Sequence, residues 1–456
     1  MLALIAEAVD DRSARGIASA VGRLVTAGSL PTGTRLPTVR DVARELGVSP
    51  TTVSEAWSSL ARAGAIETRG RSGSFVASAA RPLRYAQLGV SPLPGVSTDL
   101  STGVPDHDLL PSLAGALKRL GDGRLTTSYL DAPVLPQLEA ALRERWPYRP
   151  EQVTVMDGAL DALDRITAAV VRFGDHVLVE DPAFPPMLDL LDVVGATVVG
   201  VPIGADGIDP AALAAALAEH RPTALFLQPR AHNPTGASMT AARAGELAAI
   251  LAGHPGVTVV EDDHAGDIAS APPVSLGRWL PGRTVHVSSF SKSHGPDLRL
   301  AAVAGPAAVL SVAADRRLLG PGWSSRILQA VLVDLLADPA ARAQVAAART
   351  AYAKRRSALL EALAVRGAQA TAADGINLWL TVANETVAIM TLAAHGIAVA
   401  PGTPFEAGPA AAAHVRVTVG LVAGGYDDLA DILAEAAGAH SRGNGARARA
   451  HPRGWR

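Results

Sequence analysis

Residues 288–299 read Ser-Ser-Phe-Ser-Lys-Ser-His-Gly-Pro-Asp-Leu-Arg and follow a short β-rich run at 284–287. Lys292, inside this segment, is one of three lysines in the chain, with Lys118 and Lys354, because nearly all other basic residues are arginine. A guanidinium cannot form a Schiff base, so few side chains of this chain could hold an aldehyde covalently. The segment therefore predicts a reactive amine just after a strand.

The chain from about residue 98 to 438 alternates short β-rich runs with alanine-rich helical stretches, which predicts an α/β fold with a mostly parallel sheet. In open α/β sheets, ligands gather at the carboxyl ends of the strands. We therefore expect the polar residues that follow the strands to share one site. The clear strand candidates are 153–156, 176–179, 224–227, 257–260 and 284–287.

The residues at these strand ends match the needs of pyridoxal 5′-phosphate (PLP), an aldehyde cofactor. Lys292 would form the Schiff base, and Asp262, in Val-Glu-Asp-Asp-His at 260–264, would keep the ring nitrogen protonated. Asn233, which opens Asn-Pro-Thr-Gly, would donate to the phenolate oxygen, and Phe184 would stack on the ring. The sequence thus predicts a PLP site with an electron-sink arrangement around the ring.

A second group of residues predicts the phosphate cradle of this cofactor. Gly158 and Ala159 lie where a strand turns into a helix, so free backbone amides and the helix dipole there favour an anion. Ser289, Ser291 and Arg299 flank the lysine and add two hydroxyl groups and a guanidinium.

The motifs Asn-Pro-Thr-Gly, Glu-Asp-Asp and Ser-x-Ser-Lys with a downstream arginine resemble those of class I and II aminotransferases of PLP fold type I. The resemblance implies a large α/β/α domain with a mostly parallel sheet, a smaller C-terminal α+β subdomain entered near 375–380, and a homodimer. It further implies that Arg416 grips the carboxylate of a substrate or effector and that Tyr129 reaches a neighbouring subunit's phosphate. His264 stands where many relatives carry tyrosine, and an imidazole titrates near neutrality at the cofactor.

Residues 1–78 show a different pattern, with apolar residues at helical spacing followed by a short hairpin. Thr38 caps a second helix that Gly47 ends, and Ser49 caps a third helix. Residues 66–76 then read as two strands around a basic turn. Helix, tight turn, helix and basic hairpin predict a winged helix-turn-helix whose third helix enters the major groove of double-stranded DNA.

The runs at 31–40, Pro-Thr-Gly-Thr-Arg-Leu-Pro-Thr-Val-Arg, and at 48–53, Val-Ser-Pro-Thr-Thr-Val, resemble the DNA-binding domain of the GntR family. Head and body together resemble its MocR subgroup over about residues 1–438. The motifs around Asn-Pro-Thr-Gly are most similar to PtsJ-type members, which are regulators tied to vitamin B6 metabolism. The residues that this resemblance expects to contact DNA are Arg35, Arg40, Ser49, Thr51, Thr52, Arg69 and Arg71.

The remaining segments and the composition set bounds on the function. Residues 79–97 read as a linker, and 439–456, with five arginines and no acidic residue, predict a disordered tail. The net charge of −2 requires any DNA contact to come from a local basic surface. Absent cysteines exclude disulfides and thiolate metal sites and fit a reducing cytoplasm, and no metal site is expected. No apolar run is long enough to cross a membrane, and the acidic N-terminus does not read as a secretory signal.

Two functions from different classes remain open at this point. The first is a transcription regulator that senses PLP, or PLP with an amino acid or amine, and binds an operator as a homodimer. The second is an active PLP-dependent aminotransferase with an accessory DNA-binding head, since every residue for a transamination half-reaction is present. We favour the regulator because an operator-reading head has no purpose in amino-group metabolism.

Overall fold

The computed structural model describes residues 1–62, 64–68, 73–77, 83–88, 95–120, 128 and 131–438. The predictions for Tyr129, for Arg69 and Arg71 in the wing, and for the tail at 439–456 lie outside these residues.

The head begins with helices whose boundaries follow from capping residues. The Thr38 hydroxyl accepts from Asp41 N (3.2 Å), Gly47 adopts φ 66°, and the Ser49 hydroxyl accepts from Thr52 N (3.1 Å), as the sequence predicts. One further helix at the N-terminus was not predicted, since seven residues carry too little period. The elements are α1 (Leu2–Ala8), α2 (Ala14–Thr26), α3 (Val39–Leu46), α4 (Pro50–Arg62), β1 (Ile66–Thr68) and β2 (Ser74–Val76).

The head has its own apolar core, in which Ile17, Val21, Trp57 and Leu60 are buried. The hairpin pairs antiparallel, with Ile66 opposite Val76, and Arg35 forms a further bridge to its second strand at Phe75. The predicted winged helix-turn-helix is therefore confirmed.

A connecting region leads from the head into the body. Its first helix lies inside the stretch 79–97, which the sequence analysis treats as a linker without periodic structure, because five residues make little more than one turn. The elements are α5 (Arg84–Leu88), β3 (Thr98–Asp99), α6 (Ala114–Leu120) and α7 (Pro136–Arg145).

The body is built on a large sheet with helices on both faces. Its strands are β4 (Gln152–Met156), β5 (His176–Asp181), β6 (Thr197–Gly204), β7 (Gly207–Ile208), β8 (Ala224–Leu227), β9 (Thr258–Asp263), β10 (Thr284–Ser289) and β11 (Ala301–Gly305). Their order in the described chain is β4-β11-β10-β9-β8-β5-β6-β7. Among the described strands of this sheet, β7 and β11 alone run antiparallel to the others, which confirms the mostly parallel sheet. The helices are α8 (Ala159–Val170), α9 (Pro185–Val194), α10 (Pro210–His220), α11 (Ala241–Ala252), α12 (Ala307–Leu318) and α13 (Arg326–Ala337).

Successive residues of a central strand pack on opposite faces of this sheet. In β9, Val260 packs in the core under α8 and α9, whereas Val259 packs in the core under α10 and α11. The strand continues through Asp263, beyond the predicted run at 257–260, so that three acidic residues lie inside it. The apolar run ends before these residues, so it does not predict that the strand continues. Acidic residues are buried in a strand only where other parts of the fold supply partners, which the local sequence does not show.

A smaller C-terminal subdomain completes the body, as the resemblance implies. An antiparallel sheet in the order β12-β13-β16-β15 packs against helices, and β14 pairs with β3 at the start of the body. None of the helices in the described residues is long and apolar enough to cross a membrane. The elements are α14 (Pro339–Val365), β12 (Ala370–Thr371), β13 (Leu378–Val382), α15 (Glu385–Ala394), β14 (Ile397–Ala398), β15 (Ala400–Pro401), β16 (Ala413–Val417) and α16 (Tyr426–Ala437).

Candidate cofactor site and DNA-binding surface

The candidate site forms where β4, β5, β8, β9 and β10 end at the same edge of the large sheet. Val287 of β10 lies opposite Asp262 of β9, so the segment that carries Lys292 leaves the sheet beside Asp262. Burial lowers the pKa of the Lys292 amine to about 8; the Asp262 carboxylate opposes this shift and the Arg416 cation adds to it. A substantial fraction of the amine is therefore neutral and nucleophilic near physiological pH.

Asp262 is a buried carboxylate with one paired and one unpaired oxygen. Its side chain is almost fully buried, and its Oδ2 accepts from Gln228 Nε2 at 2.8 Å. Its Oδ1 is buried without a hydrogen-bond partner among the described residues. Burial raises the pKa of Asp262 to about 6, while the Gln228 hydrogen bond and the Lys292 cation lower it. Such an orphaned acceptor calls for a ligand donor, and a protonated ring nitrogen is one.

Asn233 and Arg416 bring the large domain and the C-terminal subdomain together. Asn233 Oδ1 accepts from Asn377 Nδ2 (3.2 Å) and from the Arg416 guanidinium (3.3 Å), which leaves the Asn233 amide N–H groups to donate. Arg416 is 2% exposed, also donates to the Ser101 carbonyl, and lies 5.2 Å above the Phe405 ring. Burial lowers the pKa of Arg416 to about 10.

Gly158 and Arg299, two of the residues predicted for the phosphate cradle, lie against each other. Gly158 adopts φ 100° at the start of α8, and a Cβ there would lie 2.7 Å from Arg299 Nη2. Arg299 Nη2 donates to the Asp157 carbonyl (3.0 Å), and Arg299 itself has φ 47°, a conformation that non-glycine residues rarely adopt. Ala159 is the first residue of α8. Ser291 N donates to Ser289 Oγ (3.3 Å) at the end of β10, which β11 separates from β4. Glycine is therefore required at position 158, both for its positive φ and for the close approach of the Arg299 guanidinium.

Phe184 and His264 complete the predicted set. Phe184 is half-buried at the N-cap of α9, packed against the apolar core. His264 Nε2 lies 2.9 Å from the Ala231 carbonyl, and burial, with help from the Lys292 cation, holds the pKa of His264 well below its usual value. The expectation of an imidazole titrating near neutrality is therefore wrong, and His264 stays neutral at physiological pH.

Three contributors were not assigned from the sequence. The hydrogen bonds of Gln228 to Asp262 and of Asn377 to Asn233 join residues that lie 34 and 144 positions apart in the sequence. Glu180 lies in β5, and its Oε2 accepts from Gln228 N at 2.7 Å. These residues come together because of the order of the strands in the sheet, and that order cannot be predicted from the local sequence.

This donor set fits PLP. Lys292 would hold the aldehyde, Asp262 Oδ1 the ring nitrogen, Asn233 the phenolic oxygen, and the cradle around Gly158 and Arg299 the phosphate. PLP supplies an electron sink when bound, while these residues would fix its orientation and Asp262 would hold the proton on its ring nitrogen.

Comparison with known proteins agrees with this geometry. The family model for class I and II aminotransferases matches residues 96–435, and that for bacterial regulatory proteins of the gntR family matches residues 13–76. The chain belongs to the MocR-type regulators of the gntR family. This MocR-type chain is therefore a DNA-binding transcription regulator with an aminotransferase-like body, and its cofactor is PLP.

Two regulators and one enzyme structure illustrate the similarity. The vitamin B6 salvage pathway transcriptional repressor PtsJ of Salmonella typhimurium is 36% identical over 423 residues, which cover 90% of this chain and 95% of PtsJ. The regulator TauR of Rhodobacter capsulatus is 29% identical, covering 84% of this chain and 87% of TauR. An aspartate aminotransferase from Thermus thermophilus with maleate superposes with TM-score 0.67 at 26% identity, covering 75% of this chain and 92% of the enzyme.

The candidate DNA-binding surface lies at the start of α3 and α4. Arg40, Ser49 and Thr51 are exposed there, whereas Thr52 is half-buried and its hydroxyl pairs with that of Ser49 at 2.8 Å. The Ser49 hydroxyl therefore accepts the capping hydrogen bond of α4, and it would have to contact DNA while it keeps that bond. Arg35 is exposed beside the wing, with its guanidinium against Gly73.

The low pKa of Lys292 predicts how PLP capture depends on pH. With a pKa of about 8, about one amine in ten is neutral at pH 7, against about one in several thousand for an ordinary lysine. We expect the capture rate of apoprotein, followed by stopped-flow absorbance, to rise about tenfold per pH unit up to pH 7.5 and to level off above pH 8. Lys292→Arg should show no capture. A rate that keeps rising past pH 9.5 would contradict the assignment.

Arg40 predicts a separation of the two binding activities. Arg40→Ala removes an exposed cation at the proposed groove, and we expect operator affinity to fall by about tenfold or more with the absorbance spectrum of bound PLP unchanged. Arg349→Ala removes an exposed cation from α14 and serves as the charge-matched control. Retained operator affinity in Arg40→Ala, measured by fluorescence anisotropy, would show that this surface is not the reading surface.

Proposed function

We propose that this chain senses PLP and converts PLP binding in the body into a change in the operator affinity of the head. The observation that carries the proposal is the placement of α9, which begins at the cofactor site and contacts both routes to the head. A ligand shifts an equilibrium only through contacts that differ between two states. The chain therefore needs a physical path between its two ends, and α9 supplies contacts along one.

The first end of α9 lies at the cofactor site. Phe184 is its N-cap, and we assign this ring to the face of the cofactor. A stacked ring adds attraction beyond simple area burial, so PLP binding favours one position of Phe184. A change in the position of Phe184 would move the start of α9, because Phe184 is the N-cap residue of that helix.

The middle of α9 holds the linker helix α5. Asp189 is buried, and its carboxylate accepts from Arg84 N (2.8 Å) and Tyr85 N (2.9 Å), the first amides of α5. Leu88, at the other end of α5, is buried with Trp379 and Phe405, and Phe405 lies beneath the Arg416 guanidinium. The linker helix is therefore docked onto the wall of the site rather than lying free.

The far end of α9 touches the head through Phe173. A Cβ at Gly195, the C-cap of α9, would lie 2.4 Å from the Phe173 ring, so only glycine fits there. Phe173 in turn packs into the head core, 3.5 Å from a Cβ position at Gly22 of α2. An ion pair between Arg15 and Asp175 lies next to this contact. A displacement of α9 thus reaches the head by two routes.

The partners follow from the two halves of the chain. A homodimer would present two heads to two half-sites, which raises affinity through effective concentration. Because PtsJ is a vitamin B6 salvage repressor, we propose genes of vitamin B6 metabolism as targets. We propose PLP as the effector, with a carboxylate-bearing amine as a co-effector that Arg416 would bind.

The proposal is tested by a gel-shift titration on the DNA upstream of the gene, with and without PLP. We expect PLP to change the apparent dissociation constant by about 5-fold or more, the range of typical allosteric coupling. Lys292→Arg, which keeps the positive charge but cannot bond the aldehyde, should bind DNA without responding to PLP. An unchanged shift in wild type would overturn the sensing role, and sustained transamination with a natural amino acid would favour the enzyme function.

Asp189 tests the path rather than the sensing itself. Asp189→Ala removes both acceptors of the α5 amides, so we expect PLP affinity within about 2-fold of wild type but a PLP effect on DNA binding reduced towards none. Asp192→Ala, on the same helix, loses a partly exposed ion pair to the Arg84 guanidinium at 3.6 Å; because such pairs contribute little, this variant should retain the effect. A full PLP response in Asp189→Ala would show that α5 docking plays no part.

A further inference from the structure

Gln228 is a buried glutamine at the centre of the site edge, immediately after β8. Its Nε2 donates to Asp262 Oδ2 (2.8 Å), and its Oε1 accepts from Asn233 N (2.8 Å). Its backbone N donates to Glu180 Oε2 (2.7 Å). One residue thus links the ends of three neighbouring strands.

The orientation of the Gln228 amide is fixed by its partners. A backbone N–H only donates and an ionised carboxylate only accepts, so the oxygen must face Asn233 and the nitrogen must face Asp262. A flipped amide would place two donors together on one side and two acceptors on the other. The side chain therefore has one satisfied orientation, in which its N–H group faces Asp262 Oδ2.

The consequences reach both polar positions of the cofactor ring. Because Gln228 holds Asp262 Oδ2, the unpaired Oδ1 remains for the ring nitrogen. Because Gln228 holds the Asn233 backbone while Asn377 and Arg416 hold Asn233 Oδ1, the Asn233 amide nitrogen remains for the phenolic oxygen.

Glu180 explains how a second carboxyl group is tolerated beside Asp262. Burial raises the pKa of Glu180 to about 8, and the nearby Asp262 carboxylate adds to that shift. His232, 3.4 Å from Glu180 Oε2, is itself kept neutral because burial lowers its pKa to about 3. At neutral pH the negative charge of this cluster therefore resides on Asp262.

We propose that Gln228 is the positioning residue of the cofactor site, a single buried amide that fixes Asp262 and Asn233 together and keeps Asp262 ionised. This inference rests on PLP being bound at Lys292 and Asp262. It assigns no contact between Gln228 and the cofactor.

Two substitutions at position 228 give opposite dependences on pH. Gln228→Met fills similar space but donates no hydrogen bond, so protonation of Asp262 becomes easier. Its PLP affinity relative to wild type should fall most at low pH, by about 10- to 100-fold at pH 6, and recover towards pH 8.5. Gln228→Glu can accept from Asn233 N in either protonation state, but it can donate to Asp262 only while protonated. Its relative affinity should therefore be best at pH 6 and fall as pH rises, because the ionised carboxylate at position 228 then repels Asp262.

The measurement is the dissociation constant of PLP for full-length apoprotein between pH 6 and 8.5, by absorbance titration, each variant divided by wild type at the same pH. The division removes the titration of Lys292, which all variants share. Gln329→Met is the matched control, since Gln329 is also buried and its amide bonds Leu135 N and the carbonyls of Pro133 and Ser324 away from Asp262. Its ratio should not vary with pH.

The outcomes separate this inference from the sensing proposal. If the ratios of dissociation constants for Gln228→Met and Gln228→Glu change with pH in opposite directions, the positioning role is supported. Parallel or flat ratios overturn it, even where both variants bind weakly, because a merely structural role would lower affinity at every pH. If Gln228→Met does not fold, the slope of Gln228→Glu decides alone. Failure of wild type to bind PLP would overturn both proposals, whereas PLP binding without an effect on DNA would overturn only the sensing.

Discussion

The site depends on one buried negative charge, the carboxylate of Asp262. Taking a carboxylate out of water is costly unless donors and a counter-charge replace the solvent. Gln228 supplies a donor at 2.8 Å, and Lys292 supplies a cation whose own pKa is drawn down by the same burial. The pKa shifts of Asp262 and Lys292 have the same main cause, because burial at this edge of the sheet disfavours the charged form of each group. Asp262 Oδ1 has no donor among the described residues, so a protonated ring nitrogen of PLP would supply the partner that this buried oxygen lacks.

The same burial decides the state of the histidines. His264 and His232 both lie among cations or buried dipoles, and both are held neutral. A sequence shows the imidazole but not the depth at which it lies, so His264 could be assigned to the site and still be given the wrong ionisation. Glu180 shows the converse, because burial keeps a proton on a side chain that would otherwise be an anion.

Much of the fold and of the site could be predicted because the informative residues are local signals. Strand ends, helix caps such as Thr38 and Ser49, and the run around Lys292 are all read within a few residues. The parts that escaped prediction depend on distance along the chain. The Asn377–Asn233 bond joins two domains, α5 is too short to show a period, and Phe173 belongs to the body by sequence but to the head core by packing. None of these follows from a pattern of neighbours, because each arises from the order in which strands and domains assemble.

The relative strengths of the contacts along α9 indicate where a signal would pass. Arg15 is 57% exposed while Asp175 is only 3% exposed, so solvent reaches the cation of this ion pair and weakens the attraction between the two charges. Phe173 is different, because its ring is fitted against Gly195 and the head core with no room for another side chain. Closely packed contacts of this kind have discrete arrangements rather than a continuous range. Under the proposed function, a small movement of α9 would be absorbed by the half-exposed Arg15–Asp175 pair but not by the Phe173 contact. The conversion of cofactor binding into head movement would then lie at the aromatic contact rather than at the charges beside it.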